Sequence, residues 1–313
     1  MVCSIRNKKS QSAMEYLMTY GWAILIIAVV LGALFQLGVF NASTFAPRAP
    51  PGACQVFRPN GPETATYINL EGVCSGELPQ YVGVFATNTA SGSQGGVQSH
   101  VITPSITNLI TGSFTFTAWL YLLQGCQRDQ GIAGYICIQG NACGGFYSPA
   151  SWYNCGLGVG STCAFQWPAG TCVGVPDQYS GSWVFYAASY NSQTGYAYIS
   201  FNNQVYDSNT IATGINTGGN GDFGIGYVYD EGAGGGPFVG DMANLQLYNA
   251  SLSGPEVGAL YDEGIGGAPV NLQYLVGWWP LNGNANDYSG NNNNGVPNSV
   301  TYTSQWTSYY TPP

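Results

Sequence analysis

Residues 113–123 read Ser-Phe-Thr-Phe-Thr-Ala-Trp-Leu-Tyr-Leu-Leu. Alternation puts Phe114, Phe116, Ala118, Leu120 and Leu122 on one face, with Thr115, Thr117, Trp119 and Tyr121 on the other. A two-residue period with β-branched and aromatic side chains predicts a strand. Residues 183–190 and 196–201 are two more β-rich runs, and Asn191-Ser192-Gln193-Thr194-Gly195 between them signals a hairpin. Asn202-Asn203 offers a tight turn before Gln204-Val205-Tyr206. Residues 238–248 predict a further strand. Ser253-Gly254-Pro255-Glu256 follows it, with the serine and glutamate spacing of a capping box and a proline in the first turn. A short helix is expected from there to about Glu263. Many strands and few helices predict a mainly β fold, a sandwich or jelly roll.

Composition agrees. Only 7% of residues are charged, against about 25% in ordinary soluble domains. The 45 glycines and 23 tyrosines suit short strands and many turns. The formal charge is −9. Arg6, Lys8 and Lys9 lie at the start; without residues 1–10, three basic and fifteen acidic residues remain, a charge of −12. No basic patch is present to neutralise phosphates, so a nucleic-acid partner is not expected.

The order of the β segments resembles the laminin-G-like or concanavalin A-like jelly rolls over most of residues 95–264. The pieces are the strand with Trp119, the hairpin beginning at Trp183 and turning at Asn202, the Gly224-Ile225-Gly226 strand, and the strand at 238–248 running into a helix. One segment departs from that family. Residues 275–291 (LVGWWPLNGNANDYSGN) resemble its usual opening but come last. Three readings stand open: the segment returns to its slot in the same domain, fills a neighbouring subunit's slot, or begins a truncated second domain.

The N-terminus has a different character. No charged residue occurs between Glu15 and Arg48, and residues 21–40 are almost wholly apolar. Twenty helical residues span the roughly 30 Å of a bilayer core. The preceding Arg6, Lys8 and Lys9 predict a cytoplasmic N-terminus, with the remainder on the outer side. An ordinary secretory signal is the alternative, but no A-x-A-like site follows the run. The sequence Lys9-Ser10-Gln11-Ser12-Ala13-Met14-Glu15 resembles the class III signal of archaeal type IV pilins. That resemblance implies cleavage by a prepilin peptidase between Ser10 and Gln11. It also implies a retained helix that moves from the membrane into a homopolymeric filament, with Glu15 meeting the free amine of a neighbouring copy. Residues 1–10 are thus expected as leader and 11–45 as the membrane or filament-core helix. A Pro-rich linker at 46–53 then leads to an extracellular β-sandwich at 54–313, with a Cys-rich insertion at about 124–180.

Nine cysteines are present. Cys3 lies in the leader. Cys54, Cys74, Cys126, Cys137, Cys143, Cys155, Cys163 and Cys172 form an even set on the outer side and read as up to four disulfides. Zinc is disfavoured, because no CxxC pair occurs and His100 is the single histidine. Asn41 and Asn249 head N-x-Ser sequons.

Three chemistries merit a site. The resemblance implies calcium near Asp287 and Asn291, with Asp241 on the last long strand; the alternative is that these residues only form turns. Tyr147, Trp152, Tyr153 and Trp167 in the Cys-rich stretch are candidates to stack on surface glycans, or else pack that stretch's own core. Catalysis is not expected. No E-x-D-x-x-E pattern occurs, Asp230-Glu231 and Asp262-Glu263 are adjacent pairs, and His100 lacks a G-x-S-x-G partner. The sequence therefore points to a filament subunit displaying a lectin-like domain for adhesion or glycan recognition. A non-polymerising membrane-anchored lectin is the rival and a glycoside hydrolase the third reading.

Overall fold

In the computed structural model the chain forms two compact units, Met1–Arg48 and Ala49–Pro313. The structure describes residues 9–36, 54–58, 69–71, 78–86, 99–106, 112–122, 130–135, 145–148, 165–166, 181–210, 222–226 and 236–313.

The first unit contains helix α1 (Lys9–Gln36). Every side chain described on it, between Met18 and Ala33, is exposed, including Trp22, Ile24, Ile27, Val29 and Leu31. The continuous run 20–33 covers about 21 Å at 1.5 Å per residue. Among the described residues no helix is long and apolar enough to cross a membrane. A helix apolar on all sides still needs a cover of lipid or of other helices.

The second unit is a mainly β sandwich. In chain order its elements are β1 (Gln55–Phe57), β2 (Asn69–Glu71), β3 (Val82–Phe85), β4 (His100–Ser105), β5 (Phe114–Leu122) and β6 (Gln130–Tyr135). Then come β7 (Gly145–Ser148), β8 (Phe165–Gln166), β9 (Trp183–Tyr190), β10 (Tyr196–Phe201), β11 (Gln204–Thr210) and β12 (Asp222–Ile225). The last are β13 (Gly236–Pro237), β14 (Gly240–Tyr248), α2 (Gly254–Asp262), β15 (Leu275–Trp279), β16 (Val296–Asn298) and β17 (Thr301–Thr303). The larger sheet runs β11-β10-β9-β5-β14-β3-β17, with β15 also on β14. The second runs β16-β4-β12-β6-β7-β8, with β13 parallel to β6. β1 and β2 form a separate pair.

The alternation in β5 is what joins the layers. Phe114, Phe116, Ala118 and Leu120 enter a core shared with Val101, Ile132, Phe223 and Ile225 of the second sheet. Trp119 enters a second core on the opposite face of the larger sheet, against Val257 and Leu260 of α2 and against Trp306. Both faces are covered, so all eight residues of β9 are buried. The two threonines on the Trp119 face are buried as well. Thr115 Oγ1 donates to Ala250 O at 2.9 Å and accepts Leu252 N–H at 2.8 Å. Such bonds remove the cost of burying a hydroxyl.

The turns follow their residues. Asn202 and Asn203, at φ 47° and 60°, close the two-residue β10–β11 hairpin. Asparagine tolerates this left-handed region that most side chains avoid. Asn202 Oδ1 also accepts Phe185 N–H at 2.9 Å. At the start of α2, Glu256 Oε2 accepts Ser253 N–H at 2.6 Å and Ser253 Oγ–H at 2.7 Å. These bonds to Ser253 hold the Glu256 carboxyl below the usual carboxylate range.

The C-terminal segment pairs with its own chain. β14 lends one edge to two strands in tandem. Its first residues, 240–242, pair with β3, and residues 245–248 pair with β15. The handover falls at Asn244, which has φ 51° at a break in register. Asn244 Oδ1 accepts Trp278 Nε1–H at 2.7 Å, and its amide donates to Gly267 O at 2.9 Å. β16 then pairs with β4 and β17 with β3. The segment therefore occupies a slot in its own sandwich.

The described parts of residues 124–180 supply β6, β7 and β8 to the second sheet, and Ile132 and Ala133 sit in the main core. Glycines 131 and 134 in β6 weaken its strand signal.

Candidate functional site

The loop after β15 concentrates polar groups. Asp287 is buried. Its Oδ1 accepts Trp278 N–H at 2.9 Å and Ser289 N–H at 2.8 Å. Its Oδ2 accepts Ser289 Oγ–H at 2.8 Å and Asn293 N–H at 2.9 Å. Burial pushes this carboxyl up, and the four donors oppose that shift. Asn291 Nδ2 donates to Leu275 O and Val276 O, both at 2.8 Å. Arg58 closes the loop from the other end of the chain. Its Nε donates to Ser289 O at 2.9 Å, and its Nη2 to Leu272 O at 3.0 Å and Leu275 O at 2.9 Å. Gly290 has φ 83°, and a Cβ there would lie 2.6 Å from Val56 O. Only glycine fits that close approach.

This arrangement does not fit the calcium expected at Asp287, Asn291 and Asp241. Each Asp287 oxygen already accepts two hydrogen bonds, and Asn291 presents N–H groups to backbone carbonyls. Asp241 pairs with Val84 and Tyr121, five residues along β14 from Gln246, the partner of Trp278. Among the described residues no group of three His, Cys, Asp or Glu gathers around one point. The loop's chemistry is the fastening of β15.

Asp241 belongs to a different surface. Cross-strand pairing aligns Thr301, Val84, Asp241, Tyr121 and Trp183, one residue from each of β17, β3, β14, β5 and β9. The row lies on the α2 face of the larger sheet, in line with Ala243 and Trp119 two residues away. The C-terminal turn folds over one end of it. The Tyr309 ring centroid lies 5.2 Å from that of Tyr121, and Trp306 packs edge-on to Trp183 at 6.0 Å. Trp183 is buried, Tyr121 and Asp241 are half-buried, and Tyr309 is 56% exposed. Burial pushes the Asp241 carboxyl up to about 6. The Tyr121 hydroxyl is raised first by burial, then by Tyr309 and Asp241.

The remaining sequence candidates are scattered. Tyr147 lies on β7 opposite Gly131. Trp152, Tyr153, Trp167 and Asn41 lie outside the described residues, as do Cys74, Cys126, Cys137, Cys143, Cys155, Cys163 and Cys172. Cys54 is buried and disulfide-bonded. Asn249 is exposed just after β14. Ser10 and Gln11 fall in the first turn of α1 and Glu15 in its second. Tyr121, Tyr309 and Thr301 carry no motif that marks them as site residues in the sequence. The one sequence signal for their surface is Asp241, the single charged residue in its strand.

Two stacked, largely antiparallel sheets with this strand order define a concanavalin A-like β-sandwich. The family model described as the concanavalin A-like lectin/glucanases superfamily (Laminin_G_3) matches residues 94–258, more than half of the sequence, and the chain belongs to that family. No curated protein sequence matches it. Among solved structures, a carbohydrate-binding candidate from Bacteroides ovatus ATCC 8483 superimposes with a TM-score of 0.52 at 18% identity. That match covers 76% of this chain and 64% of the other, so this chain spans under two thirds of the Bacteroides protein. The heptameric SAP-like pentraxin of Limulus polyphemus matches with a TM-score of 0.41 at 12% identity, over 72% of this chain and 94% of its own. Domain 4 of the arabinanase AbnA from Geobacillus stearothermophilus, solved with arabinotriose, gives 0.37 at 19% identity, over 56% and 79%. At these identities the likeness establishes the fold.

Proposed function

We propose that the chain is a subunit of a type IV pilin-like surface filament that carries a carbohydrate-binding sandwich outside the cell. The observation that carries the filament half is α1. It forms a unit distinct from the sandwich, and its described apolar side chains are bare on every side. Such a helix is stable in lipid or against copies of itself. The pilin-like residues Lys9 to Glu15 supply the processing and assembly signal. The carbohydrate half is supported by the family and by what the Bacteroides relative is held to bind. Binding without turnover is the expected chemistry. The cross-strand partners of Asp241 are Val84 and Tyr121, and neither is a carboxylate, whereas glycoside hydrolysis uses a carboxyl pair about 5–9 Å apart.

The filament half is tested by immunogold electron microscopy of cells producing the wild type or Glu15→Ala. Labelled fibres are expected with the wild type. The variant should keep its membrane level and lose at least about tenfold in fibre number, since one buried charge contact is worth a few kcal/mol. Equal fibre numbers from both chains, or no fibres from either, would remove the assembly role.

A further inference from the structure

The row on the α2 face of the larger sheet has the composition of a ligand platform. Strands stand about 4.8 Å apart, so the four from β17 to β5, short of the buried Trp183, carry a row of about 14 Å. That is room for an oligosaccharide rather than a single ring. Tyr121 and Tyr309 present aromatic surface, their planes inclined by 33°. Asp241 sits beside them, half-buried, and its carboxylate accepts no hydrogen bond from the described residues. Thr301 adds a hydroxyl at the open edge. Ring faces take the C–H faces of sugars, and a carboxylate accepts hydroxyl hydrogen bonds. The cation of the sandwich among the described residues, Arg58, is engaged with three backbone carbonyls. Nothing described beside the row would offset the charge of an acidic sugar.

We propose that Thr301, Val84, Asp241 and Tyr121, flanked by Tyr309, form a binding platform for neutral oligosaccharides. This rests on the carbohydrate-binding reading of the sandwich and adds the site and the ligand class. The carboxyl raised to about 6 by burial fits a group that lacks donors in the free protein. Sugar hydroxyls favour its ionised form. Binding therefore weakens as pH falls through that value, because protonation competes with the ligand. The titratable group paired with Asp241 is Tyr121 on β5, and Tyr309 on the C-terminal turn packs against Tyr121. Val84 on β3 and Thr301 on β17 do not titrate.

The test is isothermal titration of the full chain, held in a detergent without a sugar head group. The probes are cellohexaose, xylohexaose, mannohexaose and arabinotriose, with trigalacturonic acid as the anionic comparison. At least one neutral probe should bind the wild type at pH 7, and the anionic one should not. Tyr309→Ala and Asp241→Asn should each weaken binding about tenfold, the loss of one stacking or hydroxyl contact. Their thermal unfolding should stay close to wild type. The wild type should bind several-fold more weakly at pH 5 than at pH 7, with Asp241→Asn insensitive to that change. Undiminished binding by both variants would move the site elsewhere and leave the carbohydrate reading standing. Failure of the wild type to bind any probe would overturn the platform and that reading together.

Discussion

Asp287→Ala is expected to destabilise the sandwich by about 3–5 kcal/mol. The change strips the acceptor from Trp278 N, Ser289 N and Asn293 N, while Ser289 Oγ keeps Val276 O at 3.2 Å. Leaving one buried donor unsatisfied costs about 1–3 kcal/mol, and the three losses do not add fully, because the loop relaxes. For a unit of this size the midpoint should fall by about 10 °C or more, read by near-ultraviolet circular dichroism of the tryptophans. Asp287→Asn should cost about half as much. Its one carbonyl oxygen keeps the Trp278 and Ser289 N–H bonds, while its amide turns N–H toward Asn293 N–H. An unchanged midpoint for the alanine variant would mean that the carboxylate does not fasten β15.

Removing residues 268–313 is expected to abolish folding of the sandwich. The deletion takes β15 from β14, β16 from β4 and β17 from β3. Trp278, Trp279 and Trp306 go with it, all among the most deeply buried side chains. An aromatic side chain buries about 150–250 Å², so at about 25 cal/mol/Å² the three represent about 11–19 kcal/mol. That equals or exceeds the about 5–15 kcal/mol that holds an ordinary domain together. The truncated chain should show no cooperative urea transition and no near-ultraviolet signal. A sharp transition would show that the residues before 268 carry a complete core.

Much of this fold is legible in the sequence where local periodicity decides it. The alternation of 113–123 specifies β5, and Asn202-Asn203 specifies the β10–β11 turn. Ser253 and Glu256 mark the start of α2. Each signal is complete within a few residues. The parts that escaped depend on distant partners. β6 contains Gly-Ile-Ala-Gly, which lacks strand propensity and becomes a strand through pairing with β12 and β7. The Asp287 loop reads alike for a turn and for calcium, because a sequence does not reveal which way the Asn291 amide faces. Tyr121, Asp241 and Tyr309 are far apart in the chain, and register alone makes them neighbours. Tyr147, Trp152, Tyr153 and Trp167 stand close in sequence to cysteines, which gives them a local mark. The row on β17, β3, β14 and β5 carries no such local mark.

The pilin-like motif raises the opposite situation, since Lys9 to Glu15 is a local signal whose outcome lies in the cell. The most direct measurement is the N-terminal residue of the chain recovered from sheared surface fibres, read by intact-mass and peptide mass spectrometry. A mature chain beginning at Gln11 and found in the fibre fraction is the predicted result. A secreted, fibre-free protein beginning beyond Phe40 would contradict the account, because α1 would then be a discarded signal and the sandwich would have no filament to ride on.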